Sequence, residues 1–191
     1  MRKLVGLAVL VMSLFLGACA GGAQPASNPI VRIVVENYGD IVLELDPEAA
    51  PLTVENFIRL AEDGFYDGLT FHRIINQFMI QGGSPYGDGT GGSGENIVGE
   101  FAANGHENPI RHERGVISMA RNMINMDSAS SQFFIMHQDG FFLDGDYAAF
   151  GHVIEGMEVV DALAEGTEVV DGNGTVLPEN QPVISRIEVV Q

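Results

Sequence analysis

Phe71-His72-Arg73-Ile74-Ile75-Asn76-Gln77-Phe78-Met79-Ile80-Gln81-Gly82-Gly83 sets one arginine and one glutamine among apolar residues and closes on two glycines. Phe71, Ile74, Ile75, Phe78, Met79 and Ile80 demand burial. A guanidinium among them must find acceptors, because a buried unpaired charge is costly. Such a conflict between local pattern and core marks a functional site. The pattern from Leu69 to Gly83 predicts two strands with a turn near Asn76-Gln77.

Later stretches have the same character. Gly115-Val116-Ile117-Ser118-Met119-Ala120-Arg121 and Ser130-Ser131-Gln132-Phe133-Phe134-Ile135-Met136 are strand-like runs carrying isolated polar residues. Phe141-Phe142-Leu143-Asp144-Gly145, followed by Tyr147-Ala148-Ala149-Phe150-Gly151, reads as a fourth such run. In this order, over roughly residues 30 to 190, the four motifs resemble the cyclophilin family of peptidyl-prolyl cis-trans isomerases.

That resemblance implies an all-β fold: a closed, eight-stranded antiparallel barrel capped by two α-helices. It implies isomerase activity without cofactor or metal, on proline-containing unfolded or extended polypeptides. Arg73 matches the family's catalytic arginine and Gln81 its partner, with Phe78 beside them. Phe78, Met79, Phe134 and Leu143 match an apolar pocket for the proline ring. Ala120, Arg121 and Gln132 fall where the family lines the groove for the peptide backbone ahead of proline, and Phe142 and Tyr147 close the rim. Read without the family, Phe78, Phe134 and Leu143 are plain core, Arg73 an arginine snorkelling from a strand end and Gln132 a strand-edge amide. Four motifs in register outweigh those readings. The chain also departs from the pattern. Arg121 stands where many relatives have asparagine and adds positive charge to the groove. Phe142 replaces a frequent tryptophan, losing an indole donor, so cyclosporin-type inhibitors are expected to bind weakly. Tyr147 replaces a frequent histidine, and Asn76-Gln77 replaces a Pro-Gly turn with little expected consequence for the site.

Around these motifs the chain is organised simply. Met1-Arg2-Lys3 and the apolar run Leu4 to Leu16 form a secretory signal, too short for a permanent membrane span. Leu16-Gly17-Ala18-Cys19 resembles a bacterial lipobox, which divides the chain into a signal peptide over 1–18, a lipidated flexible tether over 19–29 and a domain over 30–191. Ile30 to Glu36 and Ile41 to Leu45 predict a hairpin around Asn37-Tyr38-Gly39-Asp40. A helix from Pro51, with Val54, Phe57, Ile58 and Ala61 on one stripe, ends at Gly64. A second helix covers Gly156 to Ala164, and strands at Phe150 to Ile154 and Val183 to Val190 complete the set.

Composition narrows the function further. The chain has 191 residues and formal charge −17; without Arg2 and Lys3 it keeps seven basic residues against 26 acidic ones and no lysine. Such a surface disfavours nucleic acid and anionic headgroups, leaving the lipid as the sole expected membrane contact, with the domain outside the cytoplasm as a monomer. Cys19 is the single cysteine, so the core holds the fold without an intramolecular disulfide. The glycines from Gly87 to Gly94 lack a P-loop ending, and His106, His112 and Glu113 fit no common zinc spacing. Two other functions stand beside the isomerase: a proline-peptide-binding chaperone or scaffold with incidental turnover, and a hydrolase. For the latter, Ser118, Ser130 and Ser131 have no histidine and carboxylate that the sequence pairs with them. Mass spectrometry of the membrane fraction is expected to find Cys19 at the mature N-terminus carrying diacyl or triacyl lipid; an unmodified, secreted Cys19 would remove the anchor.

Overall fold

The computed structural model describes residues 28–191. The predicted signal peptide 1–18, Cys19 and the tether up to residue 27 lie outside the described residues. The order of elements is β1 (Ile30–Val35), β2 (Gly39–Leu45), α1 (Pro51–Glu62), β3 (Phe71–Ile75), β4 (Met79–Gly82), β5 (Val116–Met119), β6 (Phe133–Met136), β7 (Ala149–Glu155), α2 (Met157–Gly166) and β8 (Ile184–Val189). Alternation decides which side chains go inward. Val31, Ile33 and Val35 of β1 and Ile41, Leu43 and Leu45 of β2 are buried, as a period of two requires.

The strands form one antiparallel sheet in the order β3-β4-β6-β5-β7-β2-β1-β8. It curls around a core in which Phe57 and Tyr66 meet Phe133, and Phe57 also meets Phe150, at centroid distances of 5.2 to 5.7 Å. Helix α1 buries Val54, Phe57, Leu60 and Ala61 in this core, and α2 buries Val159, Val160, Leu163 and Ala164. No helix of the described residues is long and apolar enough to cross a membrane.

Two expectations need correction. The barrel is open, because no ladder joins β3 to β8. Only a bridge between Thr70 and Val183, with the bonds Gly68 N–H to Ile184 O, Ile184 N–H to Leu69 O and Phe71 N–H to Pro182 O, spans the seam. The physical reason is that the turn after α2 takes the outer edge of β3: Ile74 N–H donates to Gly174 O and Val176 N–H to His72 O. Gly174 is required there. Its φ is +82°, and a Cβ would stand 2.3 Å from Ile74 O. The second correction concerns the run at Phe141, where residues 141–143 form a 3₁₀ turn and the strand begins only at Ala149.

The long loop between β4 and β5 is tied down by a charge. Ala50, at the N-cap of α1, has no side chain to satisfy the helix's first N–H groups. Glu100 does so from 47 residues away in sequence, accepting from Leu52 N–H at 3.0 Å and from Thr53 N–H and Oγ1–H at 2.8 and 2.7 Å. Replacing Glu100 with alanine strands two buried donors. It is expected to cost about 2 kcal/mol in urea denaturation, in the range for lost caps and unsatisfied buried groups.

Candidate active site

A single rung of the sheet carries the first site residues. Arg73 on β3 pairs with Gln81 on β4, Gln81 with Phe134 on β6, and Phe134 with Ser118 on β5. Directly opposed residues point to the same face, so the register brings Arg73, Gln81 and Phe134 side by side. That face is the outer one: Ile80, Phe133 and Ile135, their chain neighbours, lie in the barrel core. Met79, Phe134 and Leu143 instead belong to a separate apolar cluster, with Phe78, Ala120 and Tyr147 packed against it.

The polar residues of this face form a directed chain. The Gln132 amide donates to Gly89 O at 2.9 Å and Gly91 O at 3.0 Å, so its oxygen must face the other way. That oxygen accepts from Gln81 Nε2 at 3.1 Å, and Gln81 Oε1 in turn accepts from Arg73 Nη1 at 3.1 Å. Arg73 Nε donates to Asn173 O at 2.9 Å. Both amide orientations therefore follow from backbone carbonyls. Burial lowers the Arg73 guanidinium from its ordinary value without removing its charge.

Arg73, Gln81 and Phe134 open on a cavity of about 710 Å³ whose apolar walls include Phe78, Met79 and Leu143. Ala120, Arg121, Phe142 and Tyr147 also line it. Gln132 lies in a smaller adjoining cavity of about 280 Å³ with Gln81, Ala120 and Arg121. All eleven residues singled out within the domain thus converge on one face of the sheet.

Residues 30–189 match the family described as cyclophilin type peptidyl-prolyl cis-trans isomerase/CLD. The chain is 47% identical over 133 residues to peptidyl-prolyl cis-trans isomerase B of Bacillus subtilis, covering 70% of this chain and 89% of that one. It is likewise 47% identical over 132 residues to the peptidyl-prolyl cis-trans isomerase of Helicobacter pylori strain 26695, covering 68% and 77%. A cyclophilin type peptidyl-prolyl cis-trans isomerase of Cryptosporidium parvum, crystallised in the presence of the dipeptide Ala-Pro, superposes with a TM-score of 0.74 at 31% identity, covering 85% of this chain and 99% of that one. The chain belongs to the cyclophilin family.

Within this cyclophilin, Arg121 does something the sequence did not disclose. Its donors reach Asp146 O at 2.8 Å, Asn122 O at 3.0 Å and Met123 O at 3.4 Å, and its guanidinium lies 4.9 Å from the Tyr147 ring centre and 5.0 Å from that of Phe101. It clamps the β5–β6 loop to the pocket rim. Gln77 takes φ +61° in the β3–β4 turn, where the resemblance expects glycine, and its N–H donates to His137 Nδ1 at 2.9 Å.

Sequence reasoning weighed His112 as a metal ligand and Ser118 as a nucleophile but did not pair them with each other or with Asp144. His112 is buried rather than an incidental loop histidine; its ring contacts Asp144 Oδ1 at 3.0 Å and Ser118 Oγ at 3.1 Å and stacks on Phe134 at 6.0 Å. The carboxylate–imidazole–hydroxyl order is that of a hydrolytic triad. Ser118 has no exposed surface, however, so no carbonyl reaches it, and the trio braces the pocket wall. Only the apolar setting of Ser118 and the Asp144 that follows Leu143 hinted at it in sequence. Asn173, whose carbonyl holds Arg73, carried no signal, since its role needs only a backbone oxygen. His106 contacts Ala49 O and Glu113 is exposed, so these two and His112 diverge.

His72, beside Arg73, is buried with neither ring nitrogen in a well-formed hydrogen bond. Burial, reinforced by the Arg73 cation, lowers its pKa from 6.5 to about 4. Between those values the unfolded chain binds a proton that the folded cyclophilin refuses, so stability rises with pH through the window and falls as pH drops. Urea midpoints for His72→Gln are expected to change less between about pH 4.5 and about pH 7 than those of the unsubstituted protein. The remaining slope includes His112, which burial also lowers; equal slopes would remove His72 from the account.

Proposed function

We propose that this cyclophilin-type peptidyl-prolyl cis-trans isomerase speeds rotation of X–Pro bonds in exported polypeptides by holding the half-rotated amide against Arg73 above an apolar cup. A prolyl amide resists rotation because its nitrogen lone pair is shared with the carbonyl, a barrier of about 20 kcal/mol. No bond to a nucleophile is needed. Catalysis requires that the twisted amide be bound better than either planar form. Twisting withdraws the lone pair from resonance and makes the nitrogen basic, so a fixed N–H donor beside it favours the transition state.

The observation that carries this reading is the tethering of Arg73. Of the five N–H donors of a guanidinium, one is held by Asn173 O and one by Gln81 Oε1, and the side chain lines the cavity. It is pre-aimed, so little reorganisation accompanies the reaction. Phe78, Met79, Phe134 and Leu143 hold the ring, which gives rotation a fixed end to turn against. The presence of Ala-Pro with the Cryptosporidium relative supports a proline ligand for this cleft. The secretory leader and lipobox support clients outside the cytoplasm, where uncatalysed isomerisation over tens of seconds limits folding.

In a protease-coupled assay, Arg73→Ala is expected to lose about 10²- to 10³-fold in kcat/KM, the magnitude of a removed transition-state donor. Arg73→Lys is expected to recover little, because an ammonium cannot reproduce the forked geometry. Refolding of a proline-limited substrate should slow in parallel. Equal acceleration by Arg73→Ala and the unsubstituted protein would favour the chaperone reading instead.

A further inference from the structure

The loop between β5 and β6 exposes three large apolar side chains among polar ones. Its polar side chains bond the loop to itself: Asn122 Oδ1 accepts from Ile124 N–H and Asn125 Oδ1 from Asp127 N–H, while Ser128 Oγ accepts from Asn122 N–H and donates to Asn125 O, all between 2.6 and 3.0 Å. Asp127 Oδ1 ties the loop to Gly99 N–H and Asn104 Nδ2, and Arg121 clamps its base. Asn122, Asn125 and Asp127 are exposed but spend their side chains on these bonds, and the exposed side chains beside them are large and apolar. Ile124 is 95% exposed, Met123 81% and Met126 39%. Large apolar side chains exposed together on one loop are the kind of surface that interaction sites use.

The patch is continuous with the cleft, since Met123 and Met126 line the same cavity as Arg73, and Phe142, 72% exposed, faces that cavity as well. At about 710 Å³ the cavity has the size that encloses a drug-like molecule, which exceeds what one five-membered ring occupies. Methionine is unbranched and polarizable, so it adapts to many apolar shapes.

We propose that Met123, Ile124 and Met126 form a subsite for a large apolar side chain flanking the proline, so that the enzyme selects apolar unfolded segments over polar ones. The inference rests on the isomerase reading of the cleft. It follows from the continuity of lip and cup: an extended chain with its proline seated in the cup runs out across the lip.

The test compares two proline tetrapeptides, one flanked by alanine and one by leucine or phenylalanine, in the full chain and in a Met123→Ser/Ile124→Ser/Met126→Ser variant. The unsubstituted protein is expected to favour the apolar peptide about tenfold in kcat/KM, as partial burial of a few methylene groups allows, and the variant to lose that preference while keeping its melting temperature. An unchanged ratio overturns the subsite. Absence of turnover on both peptides defeats the isomerase reading instead, and the subsite then stands or falls on affinity, with about tenfold weaker binding of the apolar peptide expected in the variant. Self-association of the protein that the variant abolishes, with the peptide ratio unchanged, would assign the lip to a second copy and overturn the proposal.

Discussion

The structure depends on keeping one cation at a greasy wall without letting it escape to water or collapse onto an acid. Arg73 is held by neutral acceptors alone, Gln81 Oε1 and Asn173 O. An amide oxygen and a backbone carbonyl orient the guanidinium without a direct ion pair, while the Asp171 carboxylate acts on it only through space. Those acceptors are themselves held, Gln81 through Gln132 to two backbone carbonyls and Asn173 within a turn stapled by the Asp171 carboxylate.

This demand explains why the sheet is apolar on two faces. The inner face closes around Phe57, Tyr66, Phe133 and Phe150, as any barrel must. The outer face of β4, β5 and β6 carries Met79, Phe134 and Met136, a second cluster that remains partly open. Period-two alternation feeds both, so runs such as Phe133 to Met136 are apolar at every position.

The Asp144–His112–Ser118 trio shows how little a constellation means without access. The distances suit proton relay, yet the hydroxyl is fully buried, the imidazole stacks on Phe134 and burial lowers its pKa. The same three groups that activate a nucleophile in an open cleft here join the β4–β5 loop, β5 and the 141–143 turn beneath the pocket. Their product is rigidity in the wall of the cavity beside Phe134.

What the sequence by itself determined was whatever depends on neighbours along the chain. The β1–β2 hairpin, the α1 stripe ending at Gly64 and the apolar runs all follow from periodicity and turn chemistry. The four motifs, through the family they resemble, named Arg73, Gln81, Phe134 and their companions, which the fold gathers around two adjoining cavities. Tertiary structure alone decided the rest. It left the barrel open, because a loop competes for the edge of β3; it turned the 141–143 run into a 3₁₀ turn; it buried His112; and it enlisted a carbonyl of Asn173 and the carboxylate of Glu100. Each of these joins groups far apart in sequence, through backbone atoms every residue carries or through burial that no local pattern encodes, so only the folded chain could bring them together.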